Sequence, residues 1–301
     1  MEATFSQNGD ALLFIGKEKV KLNKSFEECW ATFDEALKAA DSSALATIYD
    51  AYVRFDQFLF QLGSDKASSI TDHLLALLEQ ARKAKALTET IFSVWVVTLL
   101  QSKKTKQAEV LSQEAVEQFP SSLKLWRTRI AFPVRVLVGS KSNNKQALEQ
   151  IEDLYMKAFK SVQSKEVLQA LWIDFFGLRM EHTPGKFDET MDYYKKSLFQ
   201  LLDHSDQLRI AFISQVHDNQ QLNTIQNIRK VYNLTLSVPP TSAEYFRECI
   251  KLEREHGGEV AKIRALYDKA VHAWGSHDEE LWLEYVQFEY EHSNVTQGVN
   301  L

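Results

Sequence analysis

Two kinds of short segment alternate along the second half of this chain, and their shared period constrains the fold more than anything else in it. The first kind is clearest in LWLEYVQFEYE, where Trp282, Tyr285 and Phe288 recur at steps of three. That spacing keeps large rings on one face of a helix, where they can meet a neighbouring helix. LWIDFFGLRME repeats it with Trp172, Phe175 and Leu178, YFRECIKLERE with Phe246, Cys249 and Leu252, and LRIAFISQV more weakly with Ile210, Ile213 and Val216. Positions 172, 210, 246 and 282 are 38, 36 and 36 apart. The second kind pairs a tyrosine with a small residue three positions later: Tyr155/Ala158, Tyr194/Ser197, Tyr232/Thr235 and Tyr267/Ala270. These tyrosines are 39, 38 and 35 apart. Two interleaved series with one period describe a helix–turn–helix unit of about 34–40 residues stacked on itself. The small residue lets the partner helix approach while the ring fills the space beside it. The expected fold is all-α, an α-solenoid of stacked antiparallel helix pairs.

Turn residues fall where such units need breaks. Glu181–Gly185 contains Pro184, and Ser237–Ser242 contains Pro239 and Pro240, which no continuous helix accommodates. His256-Gly257-Gly258 and Gly275–Asp278 read as helix caps. With only 10 Gly and 5 Pro in 301 residues, against an average usage of about 7% and 5%, strand-and-turn architectures are disfavoured. Upstream the pattern is fainter. Segments around Trp126, Trp95 and Tyr49/Tyr52 read as first helices, making seven in all. Those around Phe33/Ala36 and ending at Pro120 read as second helices. The expected organisation is a poorly defined segment over 1–22, divergent helical repeats over 23–165, well-marked repeats over 166–291, and an irregular tail over 292–301. The tail reads as truncated before the second helix that Trp282–Glu291 calls for.

Charge is uneven. Residues 240–301 hold 6 of the 35 basic and 12 of the 41 acidic residues, so the whole net charge of −6 resides there. Glu253, Glu255, Glu279 and Glu280 mark a candidate surface for a basic partner, with a solvated helix face as the alternative. Small basic clusters at Lys17–Lys24, Arg82–Lys85 and Lys103–Lys106 read as solvated faces, with a nucleic-acid or nuclear-import contact as the alternative, and a broad phosphate-neutralising surface is not evident. The tryptophans at 95, 126, 172 and 282 recur in register with the repeat, which marks them as core positions rather than base-stacking platforms. Cys29 and Cys249 lie 220 apart with no CxxC and read as buried reduced thiols of an intracellular protein. No catalytic, cofactor-binding or metal-binding residue is expected. His272 and His277 are five apart rather than four, and HExxH, GxxxxGK[ST], GxGxxG and GxSxG are all missing. The longest apolar run, Ile91–Leu100, is too short to span a bilayer. The sequons at Asn23, Asn233 and Asn294 matter only on a secretory route, of which the sequence shows no signal.

The W-x-x-Y-x-x-F-E pattern at Trp282–Glu289, with the tyrosine and small residue of the second helix, resembles the half-a-tetratricopeptide (HAT) repeat family. Glu253 and Glu289 fall where that pattern places an acid. The resemblance implies an α-solenoid scaffold of RNA-processing complexes and not an enzyme. Over Leu171–Glu291, and more weakly back through the segment around Cys29, the chain is similar to HAT members of the U3-containing small-subunit processome. That similarity implies a nucleolar role in U3-dependent pre-rRNA processing toward 18S rRNA. The implied partners are other processome proteins, with U3 RNA reached indirectly, and no membrane or small-molecule substrate. The alternatives are a HAT scaffold, or a direct RNA binder, of another complex such as splicing or mRNA 3′-end processing.

Overall fold

Small polar residues decide where the helices begin. Asn8, Ser25, Thr88, Ser164, Thr224 and Ser242 each turn a side-chain oxygen onto a backbone N–H in the first turn that follows. Each cap satisfies a donor that the helix itself cannot, worth about 1 kcal/mol. A computed structural model of the chain describes residues 8–22, 24–62, 67–139, 145–239 and 241–292. Within them lie fifteen α-helices and no strand. These are α1 (Gly9–Lys21), α2 (Phe26–Ala39), α3 (Leu45–Gln61), α4 (Ala67–Lys83), α5 (Glu89–Gln101), α6 (Thr105–Gln118), α7 (Leu123–Gly139), α8 (Lys145–Ser161), α9 (Lys165–His182), α10 (Phe187–Leu201), α11 (Asp206–Asp218), α12 (Ile225–Leu236), α13 (Ala243–Glu255), α14 (Val260–Trp274) and α15 (Glu279–His292). All seven expected first helices are present, as the odd-numbered helices α3 to α15.

The chain divides into two compact units, residues 1–151 and 152–301, the division falling inside α8. In each unit most helices pack on their successor in sequence, and α3 with α5, α5 with α7, α9 with α11 and α11 with α13 also pack across the next helix but one, which stacks antiparallel pairs into two layers. This is the α-solenoid arrangement the interleaved periods call for.

In the first unit the core is built around α3 and α5. Phe33 stacks on Tyr52 with ring centroids 4.6 Å apart and on Phe55 at 5.1 Å. The segment 1–22, without a visible repeat in the sequence, contributes α1. Gly16 lets α1 reach this cluster, since a Cβ there would come within 3.0 Å of both Phe33 and Phe55. Residues 1–7 lie outside the described residues, as do the sequons at Asn23 and Asn294, Pro240 of the double-proline turn, and positions 293–301 of the expected tail.

In the second unit the stack is aromatic. Phe159 lies flat on Trp172 with centroids 3.5 Å apart, and Tyr194 on Phe212 at 3.8 Å. The cap expected at His256–Gly258 is formed: Gly257 takes φ +65°, and Gly258 N–H donates to the Glu253 carbonyl at 2.8 Å. At the next turn Asp278 accepts the N–H of Leu281 at 3.1 Å and so caps α15.

Candidate interaction surface

Tyr155, Tyr194 and Tyr267 of the second helices are buried against rings of first helices, and Tyr232 against Glu253 of α13, with the small residue three positions on buried beside each. Tyr155, Ala158, Tyr194, Ser197, Tyr232, Thr235, Tyr267 and Ala270 are all buried. So are Trp126, Trp172, Phe175, Phe246, Tyr285 and Phe288 on the first helices. Their polar atoms have partners. Trp126 Nε1–H donates to the Pro120 carbonyl at 2.8 Å, Trp172 Nε1–H to Gln200 Oε1 at 3.1 Å, and Tyr285 OH to Asp268 Oδ1 at 2.5 Å. Both thiols are buried, and burial pushes Cys29 and Cys249 above the ordinary cysteine range.

Trp282 departs from the core expectation, with 43% of its surface exposed. Trp172 is covered by Gln200 of the helix that follows it, α10. Among the described residues no helix follows α15 to give Trp282 the same cover. Its indole instead lies over the preceding turn, where Nε1–H donates to the Gly275 carbonyl at 3.1 Å. Leu283, Val286 and Tyr290 are exposed on the same helix, so its open apolar strip runs beside the Tyr285/Phe288 seam rather than along it.

The acidic surface needs a second correction. Glu253, expected to face a partner, is fully buried. Arg229 of α12 donates to it through Nε at 2.9 Å and also through Nη2, while Tyr232 OH donates at 3.1 Å. A carboxylate with no exposed surface and three donors is a satisfied internal group, not a docking point. Glu289 of α15 repeats the arrangement, paired bidentately with Arg264 of α14 at 2.5 and 3.0 Å. One unit of the stack inverts the charges: Glu152 of α8 pairs with buried Arg179 of α9, whose Nε donates to Thr190 Oγ1 at 3.0 Å. In all three the second-helix member stands three residues before the repeat tyrosine. The sequence carried that signal in IEDLY, IRKVY and IRALY.

The remaining acids are exposed. Glu255 lies 3.6 Å from His217. Glu279 and Glu280 occupy the first turn of α15, where the helix dipole favours negative charge, and neither enters an ion pair among the described residues. Beside them Asp278 is bound by Arg247 at 2.9 Å, and this guanidinium holds its carboxyl below the usual aspartate range. The residual acidic surface is thus Glu255, Glu279 and Glu280.

In the first unit a buried polar network links α2, α3 and α4. Asp56 is fully buried, accepts from Trp30 Nε1–H at 2.8 Å, and lies 2.7 Å from His73 Nδ1. His73 also stacks on Trp30 with centroids 3.9 Å apart, and its Nε2 is 3.3 Å from Tyr52 OH. Burial raises Asp56 above the ordinary aspartate range. The indole cover and the ring stacking make this a packing device. Among the described residues no three His, Cys, Asp or Glu side chains converge as a metal site, and no helix is long and apolar enough to cross a membrane.

Comparison with known proteins gives two results in agreement. The family described as "U3 small nucleolar RNA-associated protein 6 C-terminal" matches residues 27–300. The chain is also similar to the U3 small nucleolar RNA-associated protein 6 homologs of Mus musculus, 24% identical over 281 residues, and of Homo sapiens, 24% identical over 280. Each match covers 91% of this chain and 43% of the relative, so the chain spans less than half the length of the relatives it matches.

Proposed function

Because this chain belongs to the U3 small nucleolar RNA-associated protein 6 C-terminal family, we propose that it is a non-catalytic scaffold of a U3-containing ribonucleoprotein. Its place is the nucleolus, its process the U3-dependent maturation of pre-rRNA toward 18S, and its partners are other processome proteins. U3 RNA is reached through those proteins. The family assignment carries this reading, and the fold supports it. Stacked helix pairs build an extended surface suited to holding several proteins, while the polar clusters found are satisfied internally. Residues 166–291 are the HAT-like part, and Glu279 and Glu280 are the acidic pair offered to a basic partner, with Glu255 beside His217 at the other end of α13.

The test is a pulldown of the tagged chain from nuclear extract at low and high salt, probed for U3 RNA and small-subunit processome proteins. Both retained at low salt, with RNA lost before protein at high salt, is the expected result, since phosphate contacts weaken steeply with salt. Recovery of neither at either salt overturns the reading. Charge reversal at Glu279→Lys with Glu280→Lys opposes the α15 dipole and should cost about 1 kcal/mol while leaving the chain folded, and it should reduce recovery of a partner. Unchanged recovery would return the patch to a solvated helix face.

A further inference from the structure

The first unit carries a groove between α5 and α7 with a volume of about 680 Å³. One wall is apolar: Val96, Val97 and Leu100 line it from α5, and Val97 leaves 47% of its surface in water. The other wall is cationic. Lys124, Arg127 and Arg135 line it from α7, all three exposed. Their steps of three and eight place them on one helix face, and eleven residues at 1.5 Å per residue spread them over about 16 Å. The groove has a single carboxylate, Glu89, so its charge is positive in a chain whose net charge is −6.

We propose that this groove is a docking site for an acidic protein segment that carries at least one large apolar side chain. The carboxylates of such a segment would meet Lys124 and Arg135, neither of which pairs with an acid among the described residues, and its apolar side chain would cover Val97 and Leu100. Charge complementarity selects the sign of the partner, and the aliphatic wall selects a peptide over a nucleic acid. Single-stranded nucleic acid is held by rings on which bases stack. Phe132, the ring that lines this groove, is buried. The site rests on the scaffold reading above and gives it a partner of definite chemistry, distinct from the basic one suited to Glu279 and Glu280.

The experiment is selection from a random displayed peptide library on the purified full chain, repeated on the Lys124→Glu/Arg135→Glu variant and on Val97→Asp. All three side chains are exposed, so both variants should keep the wild-type melting temperature. The expected result is enrichment of peptides combining Asp or Glu with a large apolar residue, binding each variant at least about tenfold more weakly. No enrichment, no acidic bias, or equal binding to the variants overturns the proposal. So does a uridine oligonucleotide that displaces the selected peptides and is lost in the charge-reversed variant, which assigns the groove to RNA. The selection uses no extract. A failed selection with U3 RNA still recovered in the pulldown therefore removes the groove alone, and the converse removes the scaffold reading alone.

Discussion

The second unit marks its ring positions and the turn after α13 with residues suited to one task, whereas the first assigns the same tasks to residues with many uses; the exception in the second unit is the end of α10, where Leu202 takes φ 50°. After α13 the chain turns at Gly257 with φ +65°. After α4 and α5 the corresponding left-handed positions are Lys85 and Lys103, with φ 56° and 59°. A glycine there announces a turn, but a lysine announces nothing. The helices differ in the same way. On α13 the buried residues are Tyr245, Phe246, Cys249, Ile250, Leu252 and Glu253, a stripe at helical spacing. On α5 every residue from Ile91 to Val96 is buried, because α3, α4, α6 and α7 all pack against it. A helix covered on most sides loses its amphipathic period. The comparison teaches that repeat fidelity in sequence measures how one-sided each helix is, not how regular the stack is.

The comparison can be tested from its largest effect downward. Trp172→Ala removes a ring stacked on Phe159 and Phe176 and should cost roughly 3–5 kcal/mol in chemical denaturation. Tyr267→Ala should fall in the same range, and unchanged melting in both would mean that the repeat register is wrong. Arg229→Met strands the buried Glu253 carboxylate. It should cost about 2–3 kcal/mol, below the range for fully buried pairs because Arg229 keeps a quarter of its side chain in water. Adding Glu253→Leu to Arg229→Met should recover most of the loss, and no recovery would show that the pair is net stabilising rather than merely satisfied. Turn exchanges come next. Gly257→Ala should destabilise the second unit by about 1 kcal/mol, while Lys85→Gly or Lys103→Gly should stabilise the first by up to about 1 kcal/mol. Equal signs in the two units would contradict the stated difference between their turns.

The smallest effects are on pH, and they have opposite signs. Asp278 is held below the ordinary value of 3.8 by Arg247. Its contribution is complete above that value and is lost as pH falls through the lower folded one. Asp56 is raised above 3.8 by burial. It binds its proton more tightly when folded, so its contribution is complete below 3.8 and falls as pH rises through the higher folded value. Amide exchange should therefore show the first unit gaining protection on acidification toward 3.8, and the second losing it below 3.8. Substituting Asp56→Asn should abolish the first trend and leave the second.

Much of the fold was legible because helical periodicity is local. Tyr194 and Ser197, or Trp172 and Phe175, declare a buried face whatever surrounds them. Helix α1 was hidden because its packing depends on Gly16, a residue whose contribution is the side chain it lacks. The acidic surface was legible only in part. Glu255, Glu279 and Glu280 are exposed, but Glu253, at the acidic position of the repeat pattern, is buried.

The sequence by itself determined that the chain forms paired helices in a stack and, Trp282 apart, which repeat rings enter the core, since periodicity is written in residue order along a helix. Only the tertiary structure decided that Glu253 is neutralised by Arg229, that Trp282 lies open over Gly275, and that α5 and α7 enclose a groove with one apolar and one cationic wall. Each of these depends on what a neighbouring helix brings to the same point in space. Burial of a charge is settled by the partner that a neighbouring helix brings to it.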